Sequence, residues 1–231
     1  MNLKDKTVVV TGGSDGLGFS IAKKLSNLGA NVHILARDEV KLDRAAQAIE
    51  GKINSHVVDV SKAKEVKSVA DKIGQVDVLI NNAGVWIEGV VTNNSIEDIS
   101  SAIDINLKGV IYTVKAFLPE MLKNEEAHIL NVISTSGLKG KTNQSVYVAS
   151  KFGASGFTKS LAEDLLDTNV KVSGFYPGGM NTDLFKKAGS SKGGSDWMDT
   201  DKVAELIVFM IEQDATMVMD HVVLNKRKTK S

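Results

Sequence analysis

Three consecutive valines, Val8 to Val10, run straight into Thr11-Gly12-Gly13-Ser14-Asp15-Gly16-Leu17-Gly18, and apolar residues then recur at Leu17, Ile21, Leu25 and Leu28. A β-branched run, a glycine-rich turn and a 3.6-residue apolar period read as strand, tight turn and amphipathic helix. This unit constrains the whole chain, because a strand that feeds directly into a helix needs a parallel strand beside it, reached by a crossover. The sequence repeats the pattern. Strands are expected at 7–10, 31–35, 55–58, 76–80, 128–133, 170–176 and 217–224. Helical spacing lies between them, as at Val66, Val69, Ala70 and Ile73, or at Val110, Ile111, Val114, Phe117, Leu118 and Met121. The alternation predicts an α/β fold: one Rossmann-type domain over residues 1–231, doubly wound, with a parallel sheet of about seven strands and helices on both faces.

Glycines after the first strand let the backbone approach a pyrophosphate, whose charge is stabilised by unpaired N–H groups and the positive end of the following helix. A second motif brings acid/base chemistry. Tyr147 and Lys151 form Y-x-x-x-K, which on a helix places a phenol and an ammonium on one face. A nearby cation favours the phenolate, so Lys151 is expected to lower the Tyr147 pKa. Ser134 follows the apolar stretch Ile129 to Ile133, at a strand end where α/β sheets present functional groups, and can donate to a carbonyl oxygen. Taken alone, such a Tyr/Lys pair reads as a surface helix pair; with the glycine turn it reads as an acid/base pair beside a pyrophosphate site.

The spacing T-G-x-x-x-G-x-G resembles the short-chain dehydrogenase/reductase family, and further matches follow in the family's order along nearly the whole chain. They are Asp59-Val60, Asn81-Asn82-Ala83-Gly84, Asn106, Ser134, Tyr147 with Lys151, Pro177-Gly178 and Thr182. The resemblance implies a catalytic tetrad of Asn106, Ser134, Tyr147 and Lys151, with Asn106 holding a water through which Lys151 is reprotonated. It implies cofactor contacts from Gly12, Ser14, Asp15, Gly16, Leu17 and Gly18, and from Asp59 and Val60 beside the adenine. Asn82, Ala83 and Gly84 would close the cofactor cleft. Pro177, Gly178, Met180 and Thr182 would border the nicotinamide, with Tyr147 and Lys151 also touching the cofactor. The implied reaction is hydride transfer between nicotinamide C4 and a carbonyl or alcohol, in the form of an NADPH-dependent ketone or aldehyde reductase. One departure, Ile133 for the usual first serine of a pair, leaves the Ser134 spacing intact.

Cofactor choice turns on Ala36-Arg37-Asp38, at the end of the second strand. An acid there binds both hydroxyls of the adenosine ribose and repels a 2′-phosphate, whereas arginine clamps it. Ala36 occupies the acid's usual place in the family, so Arg37 and Ser14 favour NADP(H) over NAD(H). Asp15 opposes that choice, and a register shift of two would make Asp38 the ribose ligand.

Formal net charge is zero from 28 basic and 28 acidic residues, which argues against nucleic acid and anionic membranes as partners. There is no cysteine, so disulfides and thiolate catalysis are excluded. His33, His56, His128 and His221 are dispersed, and no metal is expected. Trp86 could line the substrate cleft, but a tryptophan in an α/β protein is more often simply packed, and it is expected to pack. The start lacks an apolar leader and no apolar run approaches a membrane span, which points to a cytoplasmic protein. The small, polar run 186–195 suggests a substrate loop over about 183–200, and residues 226–231 read as a solvated basic tail. The segments expected around the substrate, 85–95, 136–145 and 182–200, show no basic clamp, so the substrate class stays open. Two rival functions stand beside a carbonyl reductase. A non-catalytic nucleotide-sensing regulator on the same fold has no need of the tetrad, and a sugar-nucleotide epimerase has T-G-x-x-G-x-x-G and a larger C-terminal part. Relatives pair through helices equivalent to 96–123 and 147–166, and without a D-G-G ending a homodimer is expected over a tetramer.

Overall fold

Val8, Val9 and Val10 lie fully buried in the first strand, β1 (Thr7–Thr11), and alternate between two separate cores. The computed structural model describes residues 1–184 and 197–227. Of the expected substrate loop, 185–196 lie outside the described residues, as do 228–231 of the basic tail. After β1 follow α1 (Gly16–Asn27), β2 (Asn31–Ala36), α2 (Glu39–Ala48), β3 (Ile53–Val57), α3 (Ala63–Ile73) and β4 (Val78–Asn81). Then come α4 (Ile96–Ile103), a π-helical turn (Asp104–Lys108), α5 (Gly109–Met121) and β5 (Ala127–Val132). The described chain continues with α6 (Ser145–Asp164), β6 (Val170–Pro177), α7 (Thr200–Glu212) and β7 (His221–Leu224).

All seven strands run parallel in the order β3-β2-β1-β4-β5-β6-β7. Strand side chains alternate by two, so each central strand feeds both faces. Val8, Val10, Val78, Ile80 and Leu130 pack under α1, α2 and α7, whereas Val9, Leu79 and Ile129 pack under α3, α5 and α6. Each fully buried aliphatic side chain contributes about 1.5–3 kcal/mol. Chain order reverses between β1 and β4, and a crevice opens there beyond the carboxyl ends of the strands.

Buried polar groups tie the helices to the sheet beneath that crevice. Thr113 on α5 donates to Asn81 Oδ1 at 2.6 Å, and Asn81 Nδ2 donates to Asn131 Oδ1 at 2.9 Å. Asn131 Nδ2 then donates to Thr158 on α6 at 2.9 Å. A fully paired buried chain of this kind fixes one relative placement of its elements. It therefore sets the height of α6, which carries Tyr147 and Lys151.

Several strand boundaries differ by one or two residues from the sequence expectation, β3 among them at Ile53–Val57; β7 and β4 differ for visible local reasons. Asp214 Oδ1 accepts from the N–H and hydroxyl of Thr216, and Met217 N–H donates to the Asp214 carbonyl. That turn occupies 214–217, so β7 begins only at His221, opposite Gly174, rather than at 217. Before β4, Asp77 accepts from the Thr7 N–H and from Lys6, and the Val76 carbonyl accepts from Asn124.

The glycine turn is sterically exacting. Gly12 has φ +67°, and a Cβ on Gly18 would stand 2.2 Å from the Gly12 carbonyl oxygen and 2.5 Å from Asn82 Nδ2. Gly18→Ala is expected to destabilise the protein by about 1–3 kcal/mol, lowering Tm by roughly 2–12 °C. A thermal melt checks this, and an unchanged Tm would show that the turn yields without cost.

Candidate active site

A cleft of about 370 Å³ opens at the sheet's reversal point. One wall is the glycine turn, with Gly12, Ser14, Asp15, Gly16 and Leu17. The Thr11 hydroxyl accepts from the N–H groups of Asn82 and Ala83, both at 3.0 Å, and Asn82 Nδ2 donates to the Thr11 and Gly12 carbonyls. The turn after β1 and the turn after β4 are thereby fastened together. Asn82, Ala83 and Gly84 form the floor, and Pro177, Gly178, Met180 and Thr182 form the opposite rim. The Met180–Met198 bridge closes that rim, and Asp183, Leu184 and Trp197 line it. The residues present fit a dinucleotide: the glycine turn lacks side chains where a backbone must approach closely, and the N-terminus of α1 faces the cleft.

Ser134, Tyr147 and Lys151 meet in the same cleft. β5 ends at Val132, and Ser134 caps a 3-10 turn over Thr135–Gly137, its hydroxyl accepting from the Ser136 N–H at 3.1 Å. Tyr147 and Lys151 sit one helical turn apart on α6 and are each only 5 % exposed. Burial pushes the phenol up to about 12, against the pull of a hydrogen bond with Ser134. Burial alone brings Lys151 down to about 8. Its ammonium lies 5.8 Å from the Tyr147 ring centroid. The Tyr147 pKa is thus raised rather than lowered as expected, because burial strips water from around a phenolate.

Asn106 sits on the π-helical turn, a local irregularity that often marks functional positions. It does not line the cleft; it lies behind Gly84, where a Cβ would meet Asn106 Oδ1 at 3.1 Å and Lys151 Nζ at 3.6 Å. Its side chain is a clamp. Oδ1 accepts from the Val85 N–H at 2.8 Å, while Nδ2 donates to the Val85 carbonyl at 3.0 Å and to Ser150 Oγ at 3.1 Å. Ser150 in turn donates to the Tyr147 carbonyl at 2.7 Å. The π-turn thereby joins the cleft floor to the helix bearing Tyr147.

Four other expected cofactor residues lie outside the cleft proper. Gly18 is used for close packing. Val60 is buried against Gly109. Arg37 is exposed just after β2, near Asp59. Burial would raise the Asp59 pKa, but hydrogen bonds from Ser61 and the charges of Arg37 and Lys62 hold it below the ordinary carboxylate range. Asp15 caps α1, accepting from the Gly16 N–H at 2.8 Å, and pairs with Lys41 at 3.7 Å. Asp38 caps α2, accepting from the Lys41 N–H at 3.1 Å.

Several cleft residues were not singled out from the sequence, although they fall in the segments 85–95 and 136–145 expected around the substrate. Trp86 lines the cleft with its ring 4.5 Å from that of Tyr147, so it is more than packing. Ser136, Lys141 and Gln144, from the 136–145 segment expected around the substrate, also line it. Their signal was positional only: all lie between Ser134 and Tyr147, the two groups the cleft must bring together. His33 and His56 meet on neighbouring strands, with nitrogens 2.9 Å apart. Among the described residues no three His, Asp or Glu side chains gather as a metal site. No helix among them is long and apolar enough to cross a membrane.

Comparison with known proteins agrees with this geometry. The sequence profile described as short chain dehydrogenase matches residues 6–193. An oxidoreductase of Staphylococcus saprophyticus is 33% identical over 96% of this chain and 97% of its own. The 3-oxoacyl-[acyl-carrier-protein] reductase of Chlamydia muridarum is 38% identical over 80% of this chain and 77% of its own. Among solved structures, a metagenomic short-chain oxidoreductase in complex with NADP superposes with a TM-score of 0.86 at 30% identity, covering 99% of this chain and 100% of the other. A Burkholderia phymatum short chain dehydrogenase/reductase in complex with NAD gives 0.88 at 26% identity, over 96% and 90%. With its profile match, its seven-stranded Rossmann sheet and these relatives, the chain belongs to the short-chain dehydrogenase/reductase family, oxidoreductases that act on CH–OH and C=O groups with a nicotinamide cofactor.

Proposed function

We propose that the protein is an NADPH-dependent reductase of a small ketone or aldehyde. The observation that carries this reading is the meeting of Ser134, buried Tyr147 and buried Lys151 inside one cleft walled by the glycine turn. The nicotinamide cofactor, when bound, supplies the hydride for the carbonyl carbon. Ser134 Oγ orients and polarises the carbonyl oxygen, stabilising the negative charge that develops there. Tyr147 Oη gives its proton to that oxygen; burial raises its pKa, so the phenol carries that proton at neutral pH. Lys151 faces the phenol and helps hold the cofactor ribose, and Asn106 positions the floor and α6 around them. The test is a panel of ketones and aldehydes with NADPH and with NADH, followed by loss of nicotinamide absorbance. Turnover of at least one carbonyl supports the reading, and binding of cofactor without any turnover counts against it.

Preference for NADPH rests on Arg37, exposed at the end of β2, with Lys41 nearby to offset Asp15. Asp38 is engaged in capping α2, which weakens its claim as ribose ligand. A charge-assisted contact to a 2′-phosphate exists only for NADP(H), so Arg37→Ala should weaken NADPH by roughly 10- to 150-fold and leave NADH nearly unchanged. Paired fluorescence titrations check this. Equal weakening of both would assign Arg37 a general role, and a wild type that prefers NADH would overturn the cofactor preference. The protein is further proposed to act as a homodimer through α5 and α6, where Phe152 is 45% exposed; sedimentation as a monomer would count against that.

A further inference from the structure

Two buried polar atoms on the Tyr147 side of the cleft lack a hydrogen-bond partner among the described residues: Ser136 Oγ and Gln144 Oε1. Ser136 is 0% exposed and Gln144 8%. Native proteins keep few such orphans, and each asks for an explanation. Both are held firmly by their backbones. The Ser136 N–H donates to Ser134 Oγ at 3.1 Å, and the Gln144 carbonyl, at the start of α6, accepts from the Val148 N–H at 2.7 Å. Their backbones are thus anchored, and both residues line the cleft that holds the Ser134 and Tyr147 hydroxyls. Around them the wall is apolar, with Trp86 and Trp197.

Resting on the reading of this cleft as a carbonyl-reduction site, we infer that Ser136 and Gln144 form a subsite for a hydroxyl group carried by the substrate beside its reacting carbonyl. A hydroxyl is both donor and acceptor, and it satisfies the two orphans at once. Ser136 Oγ–H donates to the hydroxyl oxygen, and the hydroxyl proton goes to Gln144 Oε1. A plain alkyl ketone leaves both atoms unpaired as it displaces water, and a second carbonyl offers Gln144 no proton. Lys141, on the same wall, donates to Thr135 Oγ1 at 3.0 Å and brings positive charge, while Asp183 brings negative charge from the opposite rim. A carboxylate reader built on Lys141 is thus the competing outcome.

The test uses the full chain with NADPH and four probes: hydroxyacetone, acetone, 2,3-butanedione and pyruvate. Sites that hydrogen-bond a substrate hydroxyl discriminate strongly against analogues lacking it, so kcat/KM for hydroxyacetone should exceed that for acetone by at least about tenfold. Ser136→Ala and Gln144→Leu should each bring that ratio towards one, and Ser136→Thr, which keeps a hydroxyl, should retain it. The ratio is internal to each variant, so partial damage to the fold does not mimic the result. Equal use of hydroxyacetone and acetone, survival of the preference in both variants, or 2,3-butanedione preferred over hydroxyacetone would each overturn the inference. So would a preference for pyruvate lost in Lys141→Met. If no carbonyl is reduced with either cofactor, the reductase reading fails, and the subsite is then judged by binding. Trp86 and Trp197 line the cleft, so hydroxyacetone should quench tryptophan fluorescence where acetone does not, and Ser136→Ala should abolish that difference; quenching by both alike would overturn it.

Discussion

Tyr147→Phe is expected to lower kcat by ~10²–10⁴-fold, the usual worth of a positioned general acid, while leaving cofactor affinity nearly intact. The ring itself should stay in place, because it is buried and rests against Trp86 at a centroid distance of 4.5 Å. Only the hydroxyl is lost, and with it the hydrogen bond to Ser134. Steady-state kinetics on any carbonyl the wild type reduces, with a parallel NADPH titration, separate the two effects. Retention of more than about a tenth of kcat would remove Tyr147 from the role of essential acid.

Lys151→Ala should cost at least about a hundredfold in kcat and also weaken cofactor binding, since the proposed mechanism gives one ammonium both the phenol and the cofactor ribose as partners. The pH dependence distinguishes this role from mere packing. Burial holds the Lys151 pKa down to about 8, so the ammonium is complete below that pH and is lost as pH rises through it. Tyr147, up at about 12, does not titrate in this window. A reduction that needs both protons should therefore hold steady below pH 8 and decline above it in kcat/KM, which reports the free enzyme. In Lys151→Arg the guanidinium stays charged throughout, and the alkaline decline near 8 should vanish from whatever activity remains. A decline at the same pH in Lys151→Arg would assign it to another group.

Much of this arrangement was legible from residue pattern alone. The alternation of β-branched runs with helical apolar spacing gave the parallel sheet, because burial on both faces imposes continuous apolar strands such as Val8–Val10 and Val78–Ile80. The glycine turn and Tyr147 with Lys151 were legible because their function depends on local spacing. What escaped depends on how distant segments meet. The direction of the Tyr147 pKa follows from how completely α6 is buried, a tertiary property that Y-x-x-x-K does not encode. The segments 85–95 and 136–145 were expected around the substrate, but that Trp86, Ser136 and Gln144 are the residues lining it depends on how the turn after β4 meets the segment before α6. The start of β7 moved because the Asp214–Thr216 turn competes locally with pairing to β6.

The central claim, that Ser134, Tyr147 and Lys151 serve hydride transfer to a carbonyl carbon, is tested most directly by following the hydrogen itself. Wild-type protein is incubated with NADPH deuterated at C4 and a mixture of ketones and aldehydes that includes hydroxyacetone, and the alcohols formed are read by mass spectrometry. The account predicts one deuterium on the carbinol carbon of at least one product, and only traces of labelled alcohol with Tyr147→Phe. NADPH that binds tightly yet passes no deuterium to any carbonyl, or equal labelling by wild type and Tyr147→Phe, would contradict it.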